Sequence, residues 1–292
     1  MISEFNKICE CLENVDMEKY NTYRLVNHAK IMVFPSNVDE LKKVVKLINK
    51  LNLKYFVKGN GSNILLPNYY DGVIINLSKF NKYEIKDNTL YVDAGVMLNK
   101  VASEVSNMGY RGLDFATGIP GTIGGSIHGN AGCYGSSISE VLISVTVLDK
   151  DNIREIKNKD LKFDYRYSIF KEKTDLIILS AKFRLEEANI KELKDLIKER
   201  TEKRVASQDL SHPSNGSVFR NPEGFAAGKL IDDLGLKGYS IGDAMISNKH
   251  ANFIINNGKA TTDDIIKLIN KIKKDVKDHY DIELKLEQEI IE

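Results

Sequence analysis

The chain carries almost no net charge: 42 Lys and Arg stand against 41 Asp and Glu, a formal balance of +1. A nucleic-acid binder shows a basic excess, so that class is not expected and only local basic pockets remain. Cysteine is scarce. Cys9, Cys11 and Cys133 are an odd set without repeated spacing, which does not read as a secreted disulfide framework. Cys9-x-Cys11 is one residue short of a CxxC pair and reads as small buried apolar side chains. The five histidines include no His-x-x-x-His, and no metal site is expected. Long apolar runs are missing as well. Nothing approaches the roughly 20 apolar residues of a membrane span, and residues 1–18 hold acids without the apolar core of a signal peptide. A cytoplasmic protein is expected.

What is present is an ordinary globular composition, 42% hydrophobic and 28% charged over 292 residues. That length suits about two domains and buries roughly 75% of the unfolded surface without staples. Residues 30–34 form a short apolar run stopped by Pro35. Ser36 and Asn37 are good N-caps, and Asp39 and Glu40 suit the positive end of a helix dipole. Val38, Leu41, Val44, Val45, Ile48 and Leu51 then recur at helical spacing. Strands are predicted over 54–57, 64–66, 73–77 and 90–94, and a helix over 96–108 closed by Gly109. Residues 141–148 and 176–185 read as β on their branched side chains, and 189–205 as a charged amphipathic helix. A polar stretch, 206–215, leads to a strand at 217–219, a helix at 226–234, a strand at 251–255 and a long helix from Thr262. Residues 282–291 alternate like a half-buried strand. Mixed elements without an internal repeat favour an α+β fold.

Two glycine-rich stretches stand out. Gly59-Asn60-Gly61-Ser62-Asn63 lies between two predicted strands. Either it is a tight hairpin, or it is a nest of main-chain N–H groups open to an anion because no Cβ obstructs the approach. Gly118-Ile119-Pro120-Gly121-Thr122-Ile123-Gly124-Gly125-Ser126, extended by Asn130-Ala131-Gly132, holds more glycine than one turn requires. Its spacing of three is not the G-x-G-x-x-G of a Rossmann unit. Two such stretches in one chain point to an extended diphosphate, as in a dinucleotide cofactor.

With these stretches, the chain resembles the UDP-N-acetylenolpyruvoylglucosamine reductases, over about residues 21–291. The resemblance rests on Asn21-Thr22-Tyr23, the two glycine stretches, Tyr165-Arg166-Tyr167-Ser168 and Pro213-Ser214-Asn215-Gly216-Ser217-Val218-Phe219. It continues through Ala227-Gly228-Lys229-Leu230-Ile231-Asp232, Leu236-Lys237-Gly238, Ser247-Asn248-Lys249-His250-Ala251-Asn252-Phe253 and Leu286-Glu287-Gln288-Glu289-Ile290. The glycine stretches alone match the wider vanillyl-alcohol-oxidase-like flavin fold. The later motifs are specific to the reductases.

The resemblance implies an α+β protein of the family's shorter type II form. A helical segment over 1–20 precedes a two-lobed FAD-binding domain over 21–205 (lobes about 21–80 and 81–205). A smaller substrate-binding α+β domain covers 206–292. Non-covalent FAD is expected on Gly59, Asn60, Gly61, Ser62, Asn63, Gly118, Ile119, Pro120, Gly121, Thr122, Gly124, Gly125, Asn130 and Gly132. NADPH is implied as co-substrate, and the enolpyruvyl ether of UDP-N-acetylglucosamine as the substrate reduced to a lactyl ether in peptidoglycan precursor synthesis. No membrane span and no nucleic-acid or obligatory protein partner is implied. Two positions depart from the family pattern: Asp209 follows Gln208 where proline is usual, and Asp243 replaces a glycine.

The chemistry asks for particular side chains. Adding hydride to an electron-rich enol ether proceeds only if charge spreads into the adjacent carboxylate, so a fixed cation favours the transition state. The resemblance gives that place to Arg166, whose planar guanidinium is always charged and grips a carboxylate at two oxygens. It gives Ser217 the donation of a proton to the basic carbon. Glu287 and Glu289 share one face of an alternating strand, and periodicity does not choose between them; the family motif selects Glu289. Asn221, Lys229, His250 and Asn252 are secondary candidates for holding substrate. Another FAD oxidoreductase of the same fold, or a non-catalytic flavin-binding protein, is the alternative, since fold does not fix function.

Overall fold

Pro35 ends one strand and Asn37 begins the first long helix through a reciprocal cap. Asn37 Oδ1 accepts from Glu40 N–H at 2.9 Å, and Glu40 Oε2 accepts from Ser36 N–H at 2.8 Å. The helix, Val38–Lys50, buries Leu41, Val44, Val45 and Ile48. This is a computed structural model that describes residues 1–292. The chain forms two units. The first holds residues 1–13, 31–60 and 72–201, and the second holds 14–30, 61–71 and 202–292.

The first unit's core surrounds two sheets. One has the order Glu10–Asp16, His28–Phe34, Tyr69–Asn76, Tyr55–Lys58; its last two strands run parallel, Tyr55 opposite Val73 and Lys58 opposite Asn76. The other is antiparallel, in the order Asn152–Lys157, Leu142–Asp149, Leu176–Arg184, Thr89–Asp93, Tyr83–Lys86. After Asp93 the chain turns at Gly95, where a Cβ would stand 2.0 Å from the Leu77 carbonyl oxygen. Only glycine permits that bend. The helix Leu98–Asn107 follows, and Gly109 leaves it at φ +89°.

The second unit packs the helices Ala227–Asp233 and Thr262–Tyr280 with a three-stranded antiparallel sheet, Ser240–Ile241, Ala244–Ile246 and Ile254–Asn256. Thr261 and Asp264 form a capping box on the long helix. Glu289–Ile290 pairs in parallel with Ile64–Leu65, and buried Gln288 accepts from the Tyr23 hydroxyl at 3.1 Å. Such pairings draw residues 14–30 and 61–71 into a unit that is otherwise late in the sequence.

Several elements differ from expectation. Within residues 1–20, helix covers only Ile2–Asn6 and a single 3-10 turn at Glu18–Tyr20, because Glu10–Asp16 pairs as a sheet edge. Residues 217–219 form single bridges at Ser217 and Phe219 rather than a strand; Gly216 enters at φ +71° and the partners belong to two different segments. Residues 282–291 reduce to a bridge at Leu286 and the pair Glu289–Ile290. The helix Ile190–Ser207 buries Leu193 alone, so it is a solvated helix with one anchor rather than an amphipathic one. Charges at nearly every turn leave too narrow an apolar stripe.

Candidate cofactor and substrate site

The strand Tyr55–Lys58 delivers the first glycine loop. Its flanking strands lie in different sheets, Tyr55–Lys58 beside Tyr69–Asn76 and Ile64–Leu65 beside Glu289–Ile290, so the loop is not a hairpin. The N–H groups of Gly59, Asn60, Gly61, Ser62 and Asn63 donate no hydrogen bond within the protein. Main-chain donors left open in a half-buried segment need water or a ligand. Gly61 takes φ +75°, the mixed-sign backbone of an anion nest. Immediately before the loop, Lys58 is buried (4% exposed), and burial pushes its ammonium down to about 8. Its Nζ donates to the Gly59 carbonyl at 2.8 Å.

Within the first unit the two glycine stretches meet. A Cβ on Gly59 would stand 2.7 Å from Thr122 Oγ1 and 3.7 Å from Gly125 Cα. Asn60 Nδ2 donates to the Pro120 carbonyl at 2.7 Å. The second stretch is not all loop, however: Ile123–His128 is a short helix capped by Thr122. Its first donors are already engaged, Ile123 with Val96 O at 2.8 Å, Gly124 with Ala94 O at 2.9 Å, and Gly125 with Thr122 Oγ1 at 3.3 Å. Gly124 therefore serves close packing against Ala94, where a Cβ would find Ala94 Cβ at 3.1 Å, and its N–H is not open to a ligand. Gly118, Ile119, Pro120 and Gly121 remain loop.

Asn130 is buried, and its amide accepts from Ser139 N–H at 3.1 Å and donates to Asp164 O at 3.0 Å. That bond staples down the turn 164–167, closed by Asp164 N–H to Tyr167 O at 3.2 Å and the reverse bond at 3.1 Å. Ser168 Oγ adds a bond to His128 O at 2.7 Å. Arg166 rides on this turn at φ +56°, a conformation costing a non-glycine residue roughly 1–2 kcal/mol. Its Nη2 donates to Gly132 O at 3.2 Å, and its guanidinium lies 5.2 Å from the Tyr165 ring. The expected cation is thus held against the end of the second glycine stretch, at His128, Asn130 and Gly132.

Ser217 and Glu289 belong to the second unit. Half-buried Ser217 bridges Phe253. Glu287 N–H donates to Val218 O and Glu289 N–H to Asn63 O, both at 2.9 Å. Gln288 points the other way into the core, its Nε2 3.5 Å from the Gly216 and Ser217 carbonyls. Glu287 and Glu289 are therefore both half-buried on the face opposite Gln288, and the backbone does not separate them.

The secondary candidates divide. His250 is half-buried; burial pushes its imidazole pKa down, and Nδ1 accepts from Asn252 N–H at 3.2 Å, leaving the proton on Nε2. Asn252 is committed to structure: Oδ1 accepts from Phe219 N–H at 3.0 Å and Nδ2 donates to Phe219 O at 2.8 Å. It shapes the Ser217 segment rather than offering its amide to a ligand. Asn221 Oδ1 accepts from Ala227 N–H at 3.0 Å, at the entry of a helix. Lys229 is exposed and ion-paired with Asp233 four residues on.

Asp243 keeps ordinary φ, and Gly242 before it takes the positive value of +56°; its carboxylate accepts from Lys259 N–H at 2.7 Å. Asp209 does more. It accepts from Ser211 Oγ at 2.8 Å, His212 Nδ1 at 2.9 Å and Ser247 Oγ at 3.2 Å. Ser247 Oγ in turn accepts from Lys249 N–H at 3.1 Å, tying the turn before His250. Burial alone pushes the Asp209 carboxyl up, but its bonds to His212, Ser211 and Ser247 outweigh that and hold it at about 2, against an ordinary 3.8. A carboxyl depressed on folding stabilises above its unfolded pKa and loses that contribution as pH falls towards the folded one. Asp209→Asn is expected to cost about 2 kcal/mol at pH 7. In urea unfolding the gap to the parent should close between about pH 4 and pH 2; a gap independent of pH would show the carboxylate is not its source.

Residues 29–153 match the FAD binding domain family, and wild-type Phl p 4.0202, titled a glucose dehydrogenase, shares the fold at TM-score 0.50. It is 13% identical and covers 65% of this chain and 44% of its own. The protein is thus an α+β protein with an FAD-binding domain of the vanillyl-alcohol-oxidase type, followed by a smaller α+β domain. Residues 208–291 match the UDP-N-acetylenolpyruvoylglucosamine reductase C-terminal domain. The reductase of that name from Caldicellulosiruptor saccharolyticus is 40% identical over 97% of this chain and 92% of its own length. The crystal structure of the reductase from Thermus caldophilus superposes at TM-score 0.84, with 29% identity, over 97% of this chain and 99% of that one. The chain belongs to the UDP-N-acetylenolpyruvoylglucosamine reductase family. No helix is long and apolar enough to cross a membrane.

Proposed function

We propose that this protein reduces UDP-N-acetyl-3-O-(1-carboxyvinyl)-glucosamine to UDP-N-acetylmuramate in cytoplasmic peptidoglycan precursor synthesis, with NADPH as donor and non-covalent FAD as cofactor. The observation that carries the reading is the loop of five main-chain N–H groups, Gly59 to Asn63, without acceptors in the protein. It lies in a chain whose later residues match the reductase's own C-terminal domain. These groups fit a diphosphate: Gly59 presents no Cβ, and Lys58 is a cation directly behind the loop. When bound, FAD supplies the relay by which a hydride equivalent from NADPH reaches the substrate double bond.

The chain's own residues do the rest. Addition at the methylene carbon pushes the double-bond electrons towards the carbon bearing the carboxylate. Arg166 holds that carboxylate and lowers the energy of the charge as it develops. Ser217 gives its hydroxyl proton to the same carbon, completing the lactyl ether. Glu289 assists beside the substrate carboxylate. His250, with Nε2–H as donor, contacts the substrate; Asn221 and Lys229 remain weaker contributors at the domain surface.

Purified protein should be yellow, and denaturation should release the colour into the supernatant. NADPH consumption should stay slow until the enolpyruvyl sugar is added. Colour held in the precipitate would overturn non-covalent binding, and a colourless protein that ignores added FAD would sink the reading as a whole.

A further inference from the structure

Ser126 has a hydroxyl that the protein does not use. The residue is 3% exposed, and its Oγ is buried without a hydrogen-bond partner. Elsewhere in this chain helical hydroxyls turn back to the carbonyl four residues earlier: Ser103 to Asn99, Ser106 to Ala102, Thr201 to Ile197 and Ser207 to Lys203, all at 2.8–2.9 Å. Ser126 could do the same with Thr122 O, which accepts instead from the Ser126 N–H at 2.8 Å. A buried hydroxyl without a partner is costly, and it persists where something else satisfies it.

The surroundings say where that partner comes from. A Cβ on Gly121 would stand 2.9 Å from Ser126 Oγ, so only the missing side chain of Gly121 leaves the hydroxyl uncrowded on that side. The first three donors of the helix Ile123–His128 are already bound to Val96, Ala94 and Thr122. Ser126 Oγ is thus a buried polar atom of this helix without a partner in the protein, in the stretch that packs against Gly59. We propose that Ser126 Oγ hydrogen-bonds to the bound FAD. The inference rests on the FAD-binding reading above and adds to it a side-chain contact, with the hydroxyl able to donate or accept.

Ser126→Ala separates this role from a structural one. Protein stripped of FAD is titrated with FAD, following the quenching of flavin fluorescence, and is separately unfolded in urea without FAD. The variant should bind FAD about five- to tenfold more weakly, the scale of one neutral hydrogen bond. Its FAD-free urea midpoint should be unchanged or higher, since a burial penalty has been removed. Unaltered FAD affinity would overturn the inference and leave water as the partner. A lowered midpoint without FAD would also overturn it, by showing an internal structural role. Failure of the parent itself to bind FAD would instead remove the proposed function on which the inference stands.

Discussion

Ser217→Ala should retain the bleaching of flavin absorbance by NADPH and lose about 10²–10⁴-fold in the return of that absorbance when the enolpyruvyl sugar is added. The first half of the cycle moves no proton to the substrate, so the serine has nothing to do there. The second half requires a proton at a carbon, and carbon acids exchange slowly without a positioned donor. Ser217 is half-buried, its segment fixed by the bridge to Phe253 and by Asn252 clamping Phe219 at both ends of its amide. Removing one oxygen leaves that frame intact. Sugar affinity should therefore fall far less than turnover, as for any interaction made mainly in the transition state. Stopped-flow absorbance reads the halves separately. Equal slowing of both would make Ser217 a pocket-shaping residue, and no slowing of either would show that proton donation lies elsewhere.

Arg166→Lys should cost about 2–4 kcal/mol in the sugar-reducing step, the scale of one lost preorganised charge contact. Lysine preserves the charge and meets the same positive-φ backbone, so strain does not distinguish the two. The difference lies in shape. The guanidinium bonds Gly132 O through Nη2 and lies near the Tyr165 ring, and its planar fork suits a carboxylate in a way that an ammonium on a flexible stem does not. Single-turnover reduction of the sugar measures the loss directly. Equal rates for variant and parent would remove Arg166 from the site.

Local signals proved readable where the chain satisfies itself nearby. Asn37 caps the helix Val38–Lys50 as expected of an asparagine before it, and Gly109 leaves the helix Leu98–Asn107 at positive φ. The glycine stretches were legible as places of close backbone approach, because glycine's missing Cβ is a local property. Their division of labour was not. Nothing in Gly121-Thr122-Ile123-Gly124-Gly125 announces that Val96 and Ala94 take its first N–H groups and wind it into a helix. The hairpin and nest readings of Gly59 to Asn63 separated only when the flanking strands were seen in different sheets. Asn252 looked available because an asparagine in a motif carries no mark of its partner, and Phe219 lies 33 positions away. Asp209 drew notice as a departure, yet its bond to Ser247, 38 positions on, is a tertiary fact. The solvated helix Ile190–Ser207 was misjudged because its apolar residues recur without enough width to bury.

The pairing of Glu289–Ile290 with Ile64–Leu65 also sets an order of events during synthesis. Asn63 Nδ2 bonds Glu287 O across 224 positions, and Tyr23 meets Gln288 across 265. A ribosome making this chain has produced the half of the glycine loop that belongs to the second unit, Gly61 to Asn63, long before the strand that anchors it exists. Contacts so distant in sequence form late, since the loop they close must first be ordered. The nascent protein therefore carries an unfinished second unit until residues 287–290 emerge.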